Sequence, residues 1–322
     1  MDSLRRFLLV LAVGASLLPV DRQVQAQTYP TKPIRLVTNF AGTELVSRIL
    51  AAKLSPALGE QVVIDPRFGA GGNIGHVALA KAAPDGYTLM IGGLPTVINP
   101  HLNPNVGFHP LRDFAAVAQV ATIPQALVVH PSVPARSVRE FLQLARKSPG
   151  KLTYASSGVG SSSHVAAELL KSVAKIDMVH VPYKSATVGL VGALSGDVDS
   201  AIVIAPSAAL YVKQGKLRGL VVLDRKRVAL LPDVPTSVDA GIPEVIATNW
   251  YVLLAPAGTP RAIIERLNVE SIKAMASPES RERVAALGAE IVSGTPEQAA
   301  EFMRVEFDRL GKVIRDAGIK AE

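Results

Sequence analysis

RFGAGGNIGHVALAKAAPDGYT, residues 67–88, carries a glycine cluster that opens a helix-like pattern and a Pro-Asp-Gly turn that closes it. Gly69, Gly71 and Gly72 have no Cβ, so this loop can take positive φ and bring backbone amides against a bound group. After Asn73 the apolar positions Ile74, Val77, Ala78 and Ala82 recur at near-helical spacing. A turn that merely packs would use the same glycines. A nucleotide site is the weaker reading: GxGGxxG departs from the dinucleotide fingerprint, and the GK[ST] of a phosphate loop is missing.

Outward from this stretch, short β-branched runs alternate with helical patterns. Residues 34–38, 61–64 and 88–91 read as strands, with a helix over 45–54 between the first two. The plan recurs with strands at 127–129, 151–155, 178–181, 200–204 and 217–223, and helices at 137–147, 163–173 and 207–214. A further unit falls at 190–194. A strand at 252–254 then leads into helices near 262–275, 278–287 and 296–317. Alternation of this kind predicts an α/β chain with parallel sheet. Ser137 and Glu140 form the S-x-x-E pattern of a capping box.

Arg5 and Arg6 precede an apolar run over 7–20, followed by Val24-Gln25-Ala26, so residues 1–26 read as a secretory signal cleaved before Gln27. The run is shorter than the ~20 apolar residues of a membrane span. About 296 of the 322 residues then remain, enough for two α/β lobes of ~100–200 residues each. No cysteine is present, which excludes disulfides, thiolate chemistry and a lipid-modified cysteine at the signal junction. The formal charge of +7 becomes +6 once Arg5, Arg6 and Arg22 leave with Asp2 and Asp21. That excess is spread thinly and aromatics are only 5% of the chain, which argues against nucleic-acid binding and leaves a mild attraction for anions.

Two further phrases end strands with polar loops. YASSGVGSSSHVAAE, residues 154–168, turns on two glycines and opens a helix with hydroxyls that can cap amides or offer them to an anion. His164 beside Ser163 invites a hydrolase reading, but GxSxG is absent and neighbours on a helix point about 100° apart. MVHVPYKS, residues 178–185, runs from a strand into Tyr183, Lys184 and Ser185, where the lysine could pair a carboxylate or simply face solvent. Three loops at strand C-terminal ends are what a ligand crevice in an open α/β sheet requires.

GAGGNIG with KAAPDGYTL, INP before PLRDF, GKLTYAS with GSSSH, VHVPYK, LPDVPT and W-x-x-LLAPAGTP occur together in this order. In this the chain resembles the periplasmic receptors of tripartite tricarboxylate transporters, the Bug family, over residues 29–319. The resemblance implies a type II periplasmic-binding fold, two α/β lobes around a ligand cleft with two crossovers near residues 121–126 and 245–251. It implies lobe one at 28–123 plus 251–322 and lobe two at 124–250. It also implies a monomer without cofactor or metal that holds a small carboxylate and presents it to membrane permease subunits. The ligand-binding positions it carries over are Asn39, Phe40, Ala41, Gly42, Thr43 and Glu44 in the first loop. Gly71, Gly72, Asn73 and Thr96 follow, then Ser157, Ser161, Ser162 and His164, and finally Tyr183, Lys184 and Ser185.

The chain departs from the family pattern at two places. Where members read something like PFAPGGGTD, it reads Asn39-Phe40-Ala41-Gly42-Thr43-Glu44, three residues shorter, with Glu44 at the aspartate position. Where many members carry an acidic or amide pair, it has Val203 and Ile204. Fewer acidic groups leave a ligand ammonium unpartnered, which predicts an amine-free carboxylate rather than an amino acid. The alternatives are an orphan or sensory receptor with altered specificity, and a secreted serine hydrolase acting through residues 161–164.

Overall fold

The computed structural model describes residues 29–320; the expected signal segment lies outside them. In chain order the elements are β1 (Ile34–Thr38), α1 (Ala41–Leu58), β2 (Val62–Pro66), α2 (Asn73–Ala80), β3 (Thr88–Gly92), α3 (Leu94–Leu102) and α4 (Pro110–Asp113). The chain continues through β4 (Phe114–Val129), α5 (Val138–Lys147), β5 (Thr153–Ser156), α6 (Ser162–Ala174), β6 (Val179–Pro182), α7 (Ala186–Ser195), β7 (Ser200–Ile204), α8 (Ala205–Lys213) and β8 (Arg218–Val222). It ends with β9 (Thr248–Pro256), α9 (Arg261–Ala276), α10 (Pro278–Ala286), β10 (Glu290–Ile291) and α11 (Pro296–Asp316).

One strand carries the architecture from a first sheet into a second. The first sheet has the order β2-β1-β3-β9-β4, with β10 on the other edge of β4. Up to Pro124, β4 pairs with β9; from Gln125 onward it pairs with β7 and β8. The second sheet continues from β7 through β5 to β6. The return path runs through the loop after β8 into β9, whose first residue, Thr248, sits opposite Pro124. The fold is thus two α/β lobes joined by two crossing strands.

The expected parallel sheet is corrected to a mixed one. The pairs β1–β2, β1–β3, β5–β6 and β5–β7 are parallel, as βαβ units require. The pairs β3–β9, β4–β9, β4–β7 and β4–β8 are antiparallel, because the crossing strands enter each sheet against its local direction. Helices cover the sheet faces. On α1, Val46, Leu50 and Leu54 repeat every four residues and are fully buried against Ile34, Leu36 and Leu89 and against Leu267 and Met275 of α9. Each such side chain contributes ~1.5–3 kcal/mol relative to exposure. Helix α11 packs on α3, β4 and α6, burying Met303, Leu310, Val313 and Ile314, so it spans both lobes.

Candidate ligand-binding cleft

A cleft of ≈ 1200 Å³ lies between the two sheets. It is built from helix starts. Helices α1, α2 and α3 follow β1, β2 and β3, and helices α6, α7 and α8 follow β5, β6 and β7; each of the six places residues of its first turn or its N-cap on the wall. First-turn amides have no intrahelical acceptor, so those not taken by a cap, and not removed by Pro95 and Pro206 at the starts of α3 and α8, turn donors and the positive end of a dipole toward the cleft. Among the described residues that line it, none is Asp, Glu, Lys, Arg or His. Positive potential in this cleft therefore comes from backbone and neutral side chains.

In the first loop β1 passes into α1 with only Asn39 and Phe40 between them, so the shortened segment is a direct helix start. Asn39, Phe40 and Gly42 line the cleft. Ala41 begins α1. Thr43 is fully buried and stays inside the loop: its hydroxyl lies 3.1 Å from Asn39 Oδ1 and 2.8 Å from the Phe40 carbonyl, and it accepts the Asn39 and Phe40 amides at 3.3 Å. Glu44 does not line the cleft; its carboxylate takes the Arg48 Nε–H at 2.9 Å one turn along α1. Gly71, Gly72 and Asn73 line the wall beside it. Gly72 has φ +89° and a Cβ there would meet Asn39 Nδ2 at 2.9 Å, so glycine is required both for backbone shape and for the close approach. The loop is braced by Asn99, itself on the cleft wall, whose amide donates to the Gly71 carbonyl at 2.9 Å and to Asn73 Oδ1 at 2.7 Å.

Beneath this wall His76 joins three helix starts. It is fully buried and stacked on Phe108 at 4.5 Å, with Nε2 2.8 Å from Thr96 Oγ1 and 3.4 Å from Asn39 Nδ2. Thr96 Oγ1 in turn accepts the Gly93 amide at 3.1 Å, so Thr96 supports the start of α3 from behind the wall. Burial holds the His76 imidazole neutral, with its pKa lowered to about 3. Nδ1 faces the Gly72 carbonyl without completing a hydrogen bond.

Across the cleft, Ser157, Ser161 and Ser162 line the wall together with Ser163. Ser161 caps α6 by accepting the His164 amide at 3.3 Å, and the Ser157 amide donates to Ser163 Oγ at 3.0 Å. His164 does not line the cleft: its Nδ1 accepts the Gly160 amide at 3.0 Å and its ring stacks on His180 at 3.9 Å. Burial, then repulsion from His180, lowers its pKa to about 4. With Nδ1 engaged by a backbone amide, His164 and the serines do not form a nucleophile–base relay. Tyr183 packs against the second sheet beneath α7, Lys184 is exposed, and Ser185 caps α7 by accepting the Val188 amide at 3.3 Å; none of the three lines the cleft. Their place on the wall is taken by Ala186 and Thr187 of the helix that Ser185 starts.

Further residues complete the site, and of these the sequence singled out only Val203 and Ile204. Gln125 and Asn249 come from the crossing strands and share a 3.4 Å hydrogen bond, and Ser207 comes from the start of α8. Val203, Ile204, Phe68, Leu102, Trp250 and Tyr251 supply apolar surface. Trp250 is locked by its Nε1–H to Glu306 of α11 at 3.2 Å, and Glu306 also receives Arg309 at 2.8 Å. The signal for the crossing-strand residues was available in W-x-x-LLAPAGTP, whose tryptophan stands next to both Asn249 and Tyr251.

Two lobes, crossing strands and a cleft ringed by helix starts define a solute-binding protein of the type II periplasmic class. The tripartite tricarboxylate transporter family receptor profile matches residues 46–319, and the chain belongs to that family. It is 34% identical over 325 residues to protein BugT of Bordetella pertussis, covering 99% of both chains. It is 36% identical to the UPF0065 protein in the tcbD-tcbE intergenic region of Pseudomonas sp. strain P51, over 93% of this chain and 90% of that one. Among solved structures, R. palustris Rpa4515 with adipate superposes with a TM-score of 0.77 at 33% identity, over 91% of this chain and 99% of that one. MatC from Rhodopseudomonas palustris with bound malate gives 0.74 at 30% identity, over 89% and 100%. The family is one of receptors rather than enzymes.

Proposed function

We propose that the protein is exported to the periplasm, closes on a small amine-free carboxylate, and delivers it to the permease subunits of a tripartite transporter. The observation that carries this reading is the convergence of six helix starts on a cleft that no charged side chain lines among the described residues. Such a wall offers donors and no carboxylate, so it suits an anion and gives an ammonium no partner. Val203 and Ile204 on the wall add apolar surface in the same place. The relatives with adipate and malate support the ligand class. The lobes divide at the crossing strands, 28–123 with 251–322 against 124–250, and ligand contacts from both sides favour the closed state.

The test is a thermal-shift panel on protein that has been unfolded, stripped of bound solute and refolded. Dicarboxylates, tricarboxylates and aromatic acids are compared with amino acids. A carboxylate at 100 times its Kd is expected to stabilise by about 2.7 kcal/mol, and amino acids to give no saturable shift. An acidic amino acid as the tightest ligand would refute the amine-free assignment; silence across all carboxylates would refute the receptor reading.

A further inference from the structure

Tyr251 stands on β9 opposite Ala121, where the first sheet meets the crossing strands. Its side chain lines the cleft and the residue is only 6% exposed. The two threonine hydroxyls nearest the cleft on this side have internal roles: Thr43 is held by the loop and Thr96 by His76, while Thr38 and Ser47 are sealed away from the cleft. The Tyr251 hydroxyl has no hydrogen-bond partner among the described residues, and its oxygen is not sealed off as a buried unpaired atom, so it is open to the cleft it lines. A methyl group built on Gly42 would lie 3.2 Å from that oxygen, so the hydroxyl sits directly over the first turn of α1. Gly42 is the second residue of that 18-residue helix, and its amide has no intrahelical acceptor.

The neighbouring helix starts are less open. The Phe40 ring lies 3.4 Å from where a Cβ would stand on Gly72 and 3.5 Å from where one would stand on Gly93, so its edge rests on the starts of both α2 and α3. Donors on this side are thus concentrated at the start of α1.

We propose that Tyr251 is a ligand contact: its hydroxyl and the α1 amides together bind one carboxylate group of the ligand. The assignment rests on the carboxylate-receptor reading above. A phenol and a backbone amide converging on one site form the donor pair that a carboxylate oxygen accepts, and neutral donors keep the preference for an anion without adding a counter-charge. Burial raises the phenol pKa to about 12, so the proton needed for donation is present throughout the physiological range.

Two variants separate a binding role from a structural one. Tyr251→Phe keeps the ring and removes only the hydroxyl. Gly42→Ala keeps the helix and crowds the same oxygen. Stripped and refolded wild type and variants are titrated calorimetrically with adipate, malate, succinate, citrate and benzoate, and their unliganded melting temperatures are recorded. The expected result is an unliganded Tm equal to or above wild type in both variants, with affinity for the best-binding acid reduced about tenfold or more. Affinities within twofold of wild type in both variants overturn the Tyr251 assignment and leave the receptor reading intact. An unliganded Tm several degrees lower in Tyr251→Phe also overturns it, because the hydroxyl then serves the protein itself. If none of the acids binds wild type, the receptor reading falls and takes this assignment with it.

Discussion

His76 gives a prediction in which geometry fixes both sign and size. Its folded pKa, about 3, lies far below the ~6.5 of an exposed histidine because burial disfavours the imidazolium. The unfolded chain therefore takes up a proton that the folded chain refuses. Stability from this group is complete above pH ~6.5 and is lost as pH falls toward 3, at ~1.4 kcal/mol per pH unit. Between pH 6.5 and pH 5 the loss is about 2 kcal/mol, a large share of the 5–15 kcal/mol typical of a folded protein. The perturbation is His76→Gln, which keeps an acceptor for Thr96 and Asn39 but cannot titrate. At pH 7 it costs ~1–3 kcal/mol through the lost stack on Phe108 and imperfect hydrogen bonds. Urea unfolding of both proteins at pH 7 and pH 5 gives the comparison, and the variant is expected to lose about 2 kcal/mol less than wild type across that interval. His164 titrates in the same direction in both proteins and cancels in the difference. Equal losses in the two proteins would refute the argument, since His76 would then titrate alike folded and unfolded.

Three further outcomes follow from the cleft. Gly160 has φ +71° and a Cβ there would strike Leu102 Cδ1 at 2.4 Å across the cleft, so Gly160→Ala should weaken carboxylate binding about tenfold or less, and Leu102→Ala added to it should recover the steric part; no recovery in calorimetry would place the whole effect in backbone strain. Ser161→Ala removes the α6 cap and should cost ~1 kcal/mol of stability with a parallel loss of affinity, so a variant whose urea midpoint is unchanged would contradict the capping role. Because no charged side chain among the described residues lines the wall, the equilibrium affinity for a carboxylate should vary less than about threefold between 0.05 and 0.5 M salt; a steep dependence would point to a lysine or arginine reaching the ligand.

Much of the scaffold was legible because period and capping agreed with the tertiary result. The 34–38 run is β1 with the same limits, and the helices expected near 137–147, 163–173 and 296–317 are α5, α6 and α11 with ends shifted by one residue. At α5 Ser137 accepts the Glu140 amide as expected, but Glu140 returns its bond to the Arg136 amide rather than to Ser137. The first half of β4 was not legible: its alanines and Pro124 weaken the strand signal, and the pairing that makes it a strand comes from β9, more than a hundred residues later. Helix α3 was hidden by Pro95 and Pro100. In the site, motif order located the right loops without giving side-chain direction. Lys184 stands two residues past β6 and faces solvent, and Glu44 turns to Arg48, whereas Tyr251 reaches the cleft from a strand read mainly as scaffold.

If the cleft takes an anion as proposed, the lack of cationic side chains among the described lining residues sets how closure would be driven. A lysine on one wall would hold a carboxylate strongly in the open state, since a point charge attracts from any direction. Helix starts act only within about their first turn, at ~0.3–1 kcal/mol each when exposed and up to ~2 kcal/mol when partly buried. With three starts on each side of the cleft, a ligand resting on one side collects half of the set. The second half, on the order of 1–3 kcal/mol, becomes available only when the other side arrives, and it grows as water is expelled. That difference between states is the quantity that shifts a two-state equilibrium, and at 1.4 kcal/mol per factor of ten it amounts to roughly 5- to 150-fold in favour of the closed form. The same donors placed on one side alone would give the affinity without the closure. On the proposed reading, distributing weak, neutral, fixed donors over both sheets would make binding and closing the same event, the property a receptor needs if its partner is to distinguish the loaded state from the empty one.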